Sequence, residues 1–170
     1  TLLADRGAGI SHLITTGNEG DVDVAACIDW LADDPATEVV LTYLEGTRHG
    51  ARLRAALEKC RAAGKPVFVD LTAAWCITCL VNERVALETA ATKQAFERTG
   101  TVKLKGDWTN RDPEISALLK EIGRAGVPVY LYWATGAQAP KILPQILTES
   151  LVISEIGQPG RAACKGDARC

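Results

Sequence analysis

At 170 residues, 47% hydrophobic and 24% charged, the chain has the size and composition of one full α/β domain, which excludes wholesale disorder. A formal net charge of -2 argues against a nucleic acid or an anionic membrane surface as the main partner. No apolar run is long enough to span a bilayer, and the best candidate, residues 66–81, is broken by Asp70. The first residues lack a basic stretch followed by an apolar one, so no signal peptide is expected. The chain begins at Thr1 and contains no Met, as expected of a processed or excised piece.

Residues 10–16 (ISHLITT) are apolar and β-rich, and residues 17–20 (GNEG) then read as a turn. Asp21 or Asp23 can cap a helix in which Val24, Ile28 and Leu31 recur at helical spacing, ending before Pro35. Residues 38–44 (EVVLTYL) form a buried-type strand. Residues 51–63 form a helix with Leu53, Ala56, Leu57 and Cys60 on one face and Gly64 past its end. The next strand is 67–71 (VFVDL), and Cys76 opens a helix running to about Arg84. Thr89 caps a further helix that carries Ala95 and Phe96. Residues 101–105 make a strand, and Asp112-Pro113 starts a helix with a cap followed by proline at the first position. Its apolar face is Ile115, Leu118, Leu119 and Ile122, and Gly123 ends it. Residues 129–133 and 141–147 are two successive strands, a last helix covers 149–156, and 158–170 reads as a loose tail. Strands alternate with helices and then follow one another directly. The fold class is therefore α/β, a mostly parallel sheet closing in an antiparallel hairpin with helices on both faces.

Six cysteines in so core-rich a chain are not a disulfide framework. Cys27 and Cys60 read as buried small apolar residues, and Cys164 and Cys170 sit in the tail. Only Cys76 and Cys79 form a close pair in an ordered element. A hydrophobic strand delivers Cys76 to the first turn of a helix, where unpaired N–H groups and the helix dipole stabilise a thiolate. Cys79 lies one turn on, on the same face and within disulfide reach. One sulfur can attack a substrate disulfide and the other resolve the mixed disulfide. The alternative is half of a zinc site, which needs a second ligand pair from Cys164 and Cys170 or from His12 and His49.

Asp70 stands in an apolar strand six residues before Cys76. An unpaired carboxylate buried there has a raised pKa and can pass protons to and from the cysteines; the alternative is an Asp that is merely hydrogen-bonded. Glu83, four residues after Cys79, is either a second tuning acid or a solvated surface acid. Pro128, after Gly126-Val127, is either an edge device at a strand entrance or a cis-proline. A cis bond would set the backbone of Val127 beside the cysteines, ready to pair with a substrate peptide.

The segments GKPVFVDLTAAWCITC, VNERVAL, LKGDWTNRDPEISALL, GRAGVPVYLYW and LPQILTESLV together resemble the thioredoxin superfamily. More narrowly they are similar to the C-terminal periplasmic domain of the DsbD and ScsB group of thiol:disulfide interchange proteins. The resemblance covers residues 64–156. It implies a thioredoxin-like mixed sheet over residues 65–157 and a thiol–disulfide oxidoreductase whose redox element is the Cys76–Cys79 disulfide itself, without a cofactor or metal. It makes Cys76 the attacking cysteine, Cys79 its partner, and Asp70 and Glu83 the tuning acids. Trp75, Val127 and the cis-proline Pro128 face the substrate. Expected partners are disulfide-bearing proteins and an upstream thiol electron donor, in that family a transmembrane domain. The expected compartment is the periplasm. One departure is Ala74, where relatives often carry Asp before the Trp, which bears on the fine tuning of the site.

Residues 1–66 instead resemble a flavodoxin-like segment of ADP-forming acyl-CoA synthetases of the succinyl-CoA ligase type, which are cytoplasmic enzymes. The matching text is GISHLITTGNEGDVDVAACIDWLADDPATEVVLTYLEG and GARLRAALEKCRAAGKP. Glu45 matches a glutamate that supports a phosphohistidine there. The histidine segment is missing, and neither His12 nor His49 sits in the expected motif, so ligase activity is not expected. The two resemblances meet at residues 64–67. The expectation is a βαβα segment merged into the sheet of the redox domain, with residues 38–44 and 51–63 supplying the strand and helix a thioredoxin fold needs and residues 10–16 adding a further strand. Besides an active oxidoreductase, two other readings stand: a chimera of two α/β folds without a dedicated partner, and a CoA- or nucleotide-binding remnant using the Gly17 to Gly20 loop.

Overall fold

The computed structural model describes residues 11–16, 22–37, 40–44 and 50–157. Its elements in chain order are α1 (Val24–Asp33), β1 (Leu41–Leu44), α2 (Gly50–Ala62), β2 (Val67–Thr72), α3 (Ile77–Asn82), a π-helical turn (Glu83–Leu87), α4 (Ala90–Thr99), β3 (Val102–Asp107), α5 (Pro113–Glu121), β4 (Val129–Trp133), β5 (Lys141–Ile142) and α6 (Glu149–Ile156). Five strands make one sheet in the order β1-β3-β2-β4-β5. β1 and β2 run parallel to β3, while β4 is antiparallel to both β2 and β5. The sheet is thus mixed, as expected.

β2 lies at the centre and every one of its residues is buried, which explains its nearly continuous apolar run. Its alternate residues feed two cores. Val67, Val69 and Leu71 join Val102, Leu104, Val129 and Leu131 beneath α1, α2 and α5, through Ile28, Ala56, Cys60 and Leu119. On the opposite face, Phe68, Tyr130 and Tyr132 pack with Ala86, Leu87, Phe96, Val152 and Ile156 from the π-helical turn, α4 and α6. Helices therefore cover both faces. The N-terminal strand and helix do serve the redox fold: β1 takes the edge beside β3, and α2 covers one face with its Cys60 fully buried.

The caps follow the local chemistry. Asp23 accepts from Ala26 N at 2.8 Å at the start of α1, and Thr89 accepts from Thr92 N at 3.2 Å at the start of α4. Asp112 accepts from the backbone of Glu114 and Ile115, with Pro113 in the first turn of α5. Gly100, at φ 62°, ends α4 in the left-handed region that suits glycine.

Three expectations need correction. Residues 11–16 form no strand, so among the described residues the N-terminal segment contributes αβα and not βαβα. Leu13 is 85% exposed, which is incompatible with a half-buried strand, and the segment lies instead along α1, with the His12 ring 4.9 Å from that of Trp30, edge to face. The strand expected at 141–147 is only Lys141–Ile142. Pro144 has no N–H to donate, and the Leu147 N–H is taken by Asn82 Oδ1 at 3.1 Å, so the chain leaves the sheet. The helix expected to end near Arg84 continues instead as the π-helical turn, closed by Glu88 N to Glu83 O at 2.8 Å, which buries Ala86 and Leu87. Ile10, Gly17 to Gly20, Asp21, Glu45, His49, Cys164, Cys170 and the tail 158–170 lie outside the described residues.

Candidate active site

Cys76 is the N-cap of α3, and Cys79 sits in its first turn. The two form a disulfide, with Cα atoms 5.2 Å apart. Cys79 N donates to Cys76 Sγ at 3.2 Å, so a backbone N–H of the helix start already points at the sulfur that would carry negative charge on reduction. Both cysteines are buried, and Ala73 and Val127 pack against them.

Val127 belongs to the loop before β4, and its peptide bond to Pro128 is cis. Pro128 immediately precedes β4, whose first residue, Val129, pairs with Leu71 of β2. Trp75, immediately before the disulfide, is 54% exposed. Its indole N–H donates to Thr109 O at 3.2 Å, and Ala74 N donates to Thr109 Oγ1 at 2.8 Å, which fixes the approach to Cys76. The Trp75 and Trp108 rings lie 6.0 Å apart.

Asp70 lies in register with Lys105 on β3 and Tyr130 on β4. It is buried, and no hydrogen bond reaches its Oδ1. Burial pushes its carboxyl up to about 6, with Glu83 and Glu88 adding to the rise and Lys103 and Lys105 opposing it. Glu83 is half-buried and paired with Lys105, so it is not a freely solvated acid. The structure thus draws Asp70, Glu83 and Lys105 into one electrostatic group on the sheet face covered by the π-helical turn.

Sequence reasoning missed Asn82, which is buried at the end of α3. Its Nδ2 donates to Tyr130 Oη at 3.0 Å and to Gln145 O at 2.6 Å, and its Oδ1 accepts from Leu147 N. The sequence offered little signal, because Asn82 stands directly before Glu83 and Arg84 and its burial depends on partners far along the chain. Lys105 was missed too, because its place beside Asp70 depends on the register of β3 on β2. Cys60 is a buried free thiol whose pKa burial raises, and Cys27 is half-buried. Among the described residues, no three His, Cys, Asp or Glu side chains gather as a metal site would require.

The family model for thioredoxin-like domains matches residues 50–134. The chain belongs to the thioredoxin-like family. Thiol:disulfide interchange protein DsbD of Klebsiella pneumoniae is 33% identical to it over 110 residues, covering 65% of this chain and 18% of that protein. The C-terminal domain of Neisseria meningitidis DsbD in its reduced form superposes with a TM-score of 0.53 at 26% identity, over 68% of this chain and 97% of the domain. Trans-feruloyl-CoA synthase FCS1, from an unknown prokaryotic organism, is 39% identical over 69 residues, 41% of this chain and 10% of that enzyme. The chain thus spans only about a fifth of the DsbD protein it matches. The Cys76–Cys79 disulfide at a helix start gives this thioredoxin-like chain the groups that thiol–disulfide exchange needs.

Proposed function

We propose that this domain acts as a reductant that relays electrons from an upstream thiol donor to disulfide-bearing proteins. The observation that carries the reading is the Cys76–Cys79 disulfide at the start of α3 with Val127 packed against it. In the reduced form, the Cys76 thiolate attacks one sulfur of the partner disulfide. A Cys76–partner bond forms and the partner's other sulfur leaves as a thiolate. Cys79, losing its proton to Asp70, then attacks Cys76 Sγ; the internal disulfide forms and the second partner thiolate departs. Two electrons pass to the partner, and the donor dithiol returns them by the reverse exchange. The pKa of Asp70, raised to about 6, suits it to trade protons near neutrality, and Glu83 tunes it through Lys105. Trp75 and the Val127–Pro128 loop border the disulfide and receive the partner chain.

The likeness to DsbD supports a periplasmic setting and a membrane-embedded donor. We place the redox unit at residues 65–157, with 1–64 lending α1, β1 and α2 to the same sheet and 158–170 as a tail. The match to trans-feruloyl-CoA synthase favours a chimeric origin for the chain, in which a flavodoxin-like segment of a CoA-ligase fold was joined to the redox unit. The family match beginning at residue 50 supports the view that α2 now serves the thioredoxin-like fold.

A glutathione redox titration, on a variant with the other four cysteines replaced by Ser, tests the proposal. A reversible two-electron couple near the thioredoxin value of about -270 mV, with catalysed insulin reduction, is the expected result. A chain with no defined couple is not a working reductase, and would stand as a chimera without a dedicated partner.

A further inference from the structure

A second feature adjoins the disulfide without taking part in the exchange. Between α5 and the loop before β4 lies an open cleft of about 340 Å³, bordered by Trp108, Ser116, Leu119, Lys120, Arg124 and Ala125. Its volume is at the small end for a ligand site and fits one or two side chains. Leu119 is buried at its apolar floor. Trp108 forms one wall, held by its indole N–H donating to Ser116 Oγ at 2.8 Å.

Two contacts of the Trp108 wall lead toward the redox site. The ring of Trp108 neighbours that of Trp75, next to Cys76. Gly126 comes so near the same ring that a Cβ there would lie 3.6 Å from Trp108 Cζ3, and the next residue, Val127, touches the cysteines. A peptide that reaches Cys76 beside Trp75 and Val127 thus meets residues next to the cleft wall.

Its charge is the informative part. Lys120 and Arg124 border the cleft, and the Arg111 guanidinium lies over the Trp108 ring at 5.8 Å from its centre. Among the described residues no carboxylate comes within ion-pair distance of any of the three. Of the acids in the same stretch of chain, Asp107 accepts from Thr109 N, Asp112 caps α5 and Glu121 pairs with Arg54 at 3.7 Å, while Glu114 stands in the first turn of α5. A chain with a net charge of -2 thus presents, around one aromatic wall near its disulfide, three cations without an ion-pair partner among the described residues.

We propose that this cleft is a specificity subsite that selects protein partners carrying an acidic side chain close to the cysteine under attack. The inference rests on the oxidoreductase reading and adds the chemistry of the partner. The partner's methylenes would lie on Trp108 and Leu119 while its carboxylate meets Lys120 and Arg124, an arrangement that accelerates encounter more than it strengthens the complex.

The test uses the reduced full chain and two synthetic peptides, each with an internal disulfide, flanked by Glu in one and by Lys in the other. Each turnover oxidises the Cys76/Cys79 dithiol and releases a peptide dithiol. The uncharged 2-hydroxyethyl disulfide serves as a third oxidant. At low salt the Glu peptide should react about tenfold faster than the Lys peptide, and the ratio should shrink in salt of about 0.5 M. K120Q/R124Q should bring the ratio close to one, and K120E/R124E should invert it, a result that only a folded protein can give. Equal wild-type rates for the two peptides, with 2-hydroxyethyl disulfide still reduced, would overturn the subsite and leave the oxidoreductase standing. A ratio unmoved by either double variant would do the same. Failure with all three oxidants removes the oxidoreductase reading, and the subsite with it.

Discussion

The side chain of Asn82 donates to the hydroxyl of Tyr130 at 3.0 Å, tying the end of the cysteine-bearing helix to the strand that follows Val127-Pro128. The same amide holds Gln145 O and Leu147 N, where the chain leaves the sheet. One buried side chain therefore joins three segments that frame the redox site. Asn82→Ala would strand a hydroxyl, a carbonyl and an N–H in the interior. A loss of about 2–4 kcal/mol is expected, measured as a lower urea midpoint with an unchanged slope.

The burial of Asp70 ties stability to pH. Its folded pKa, about 6, lies above the ordinary value of 3.8, so its neutral form is the one the fold favours. The sign follows: its contribution is fully present below about pH 4 and is lost as pH rises through about 6. Two pKa units correspond to at most about 3 kcal/mol. Asp70→Asn should therefore be more stable than the parent at pH 8, with little difference at pH 4, while insulin reduction slows. Urea titrations at the two pH values decide it; an advantage confined to pH 4 would contradict the burial argument.

Lys105 and Glu83 should move Asp70 in opposite directions. Lys105 lowers the Asp70 pKa and Glu83 raises it. Lys105→Met is expected to drive that pKa further up, and Glu83→Gln to bring it down. Carbon-13 NMR of the Asp70 carboxyl across pH 4–9 reads both shifts, and movement in one common direction would show that the pair does not act on Asp70 electrostatically.

The helix start should act on Cys76 alone. Once reduced, Cys76 faces the N–H of Cys79, and its pKa should fall below the free-thiol value of about 8.5. Thiolate absorbance at 240 nm, recorded in a Cys79→Ser variant, measures this. The same variant should accumulate a mixed disulfide with a partner protein, visible by non-reducing electrophoresis, whereas Cys76→Ser should form none.

The chemistry of this chain was readable along short stretches. Cys76 and Cys79 announced a redox pair because helix geometry places residues three apart on one face, and the strand before them set the helix start. Asp70 announced itself as a lone carboxylate in an apolar run, and Asp112-Pro113 as a helix start. These are local rules, and they need no partner from elsewhere in the chain. Residues 10–16 misled for the same reason. Their β-rich text satisfied a local rule, but a strand also needs a partner edge, and the described segment lies along α1 with Leu13 in solvent.

Tertiary structure decided everything that depends on distant residues meeting. β3 inserts between β1 and β2, an order that no local pattern encodes. That insertion carries Lys105 to Asp70 and Glu83, and so converts two isolated acids into one coupled group. The partners of Asn82 lie 48 to 65 residues away and arrive only when β4 and the chain after β5 pack on α3. Val127 reaches the cysteines, and Trp108 meets Gly126, by the same closure. The sequence by itself determined the reactive groups, because reactivity at a helix start is set within one turn of chain. Which charges surround them, and what borders them, followed from burial and strand order, where the free energy depends on contacts between residues far apart in the chain.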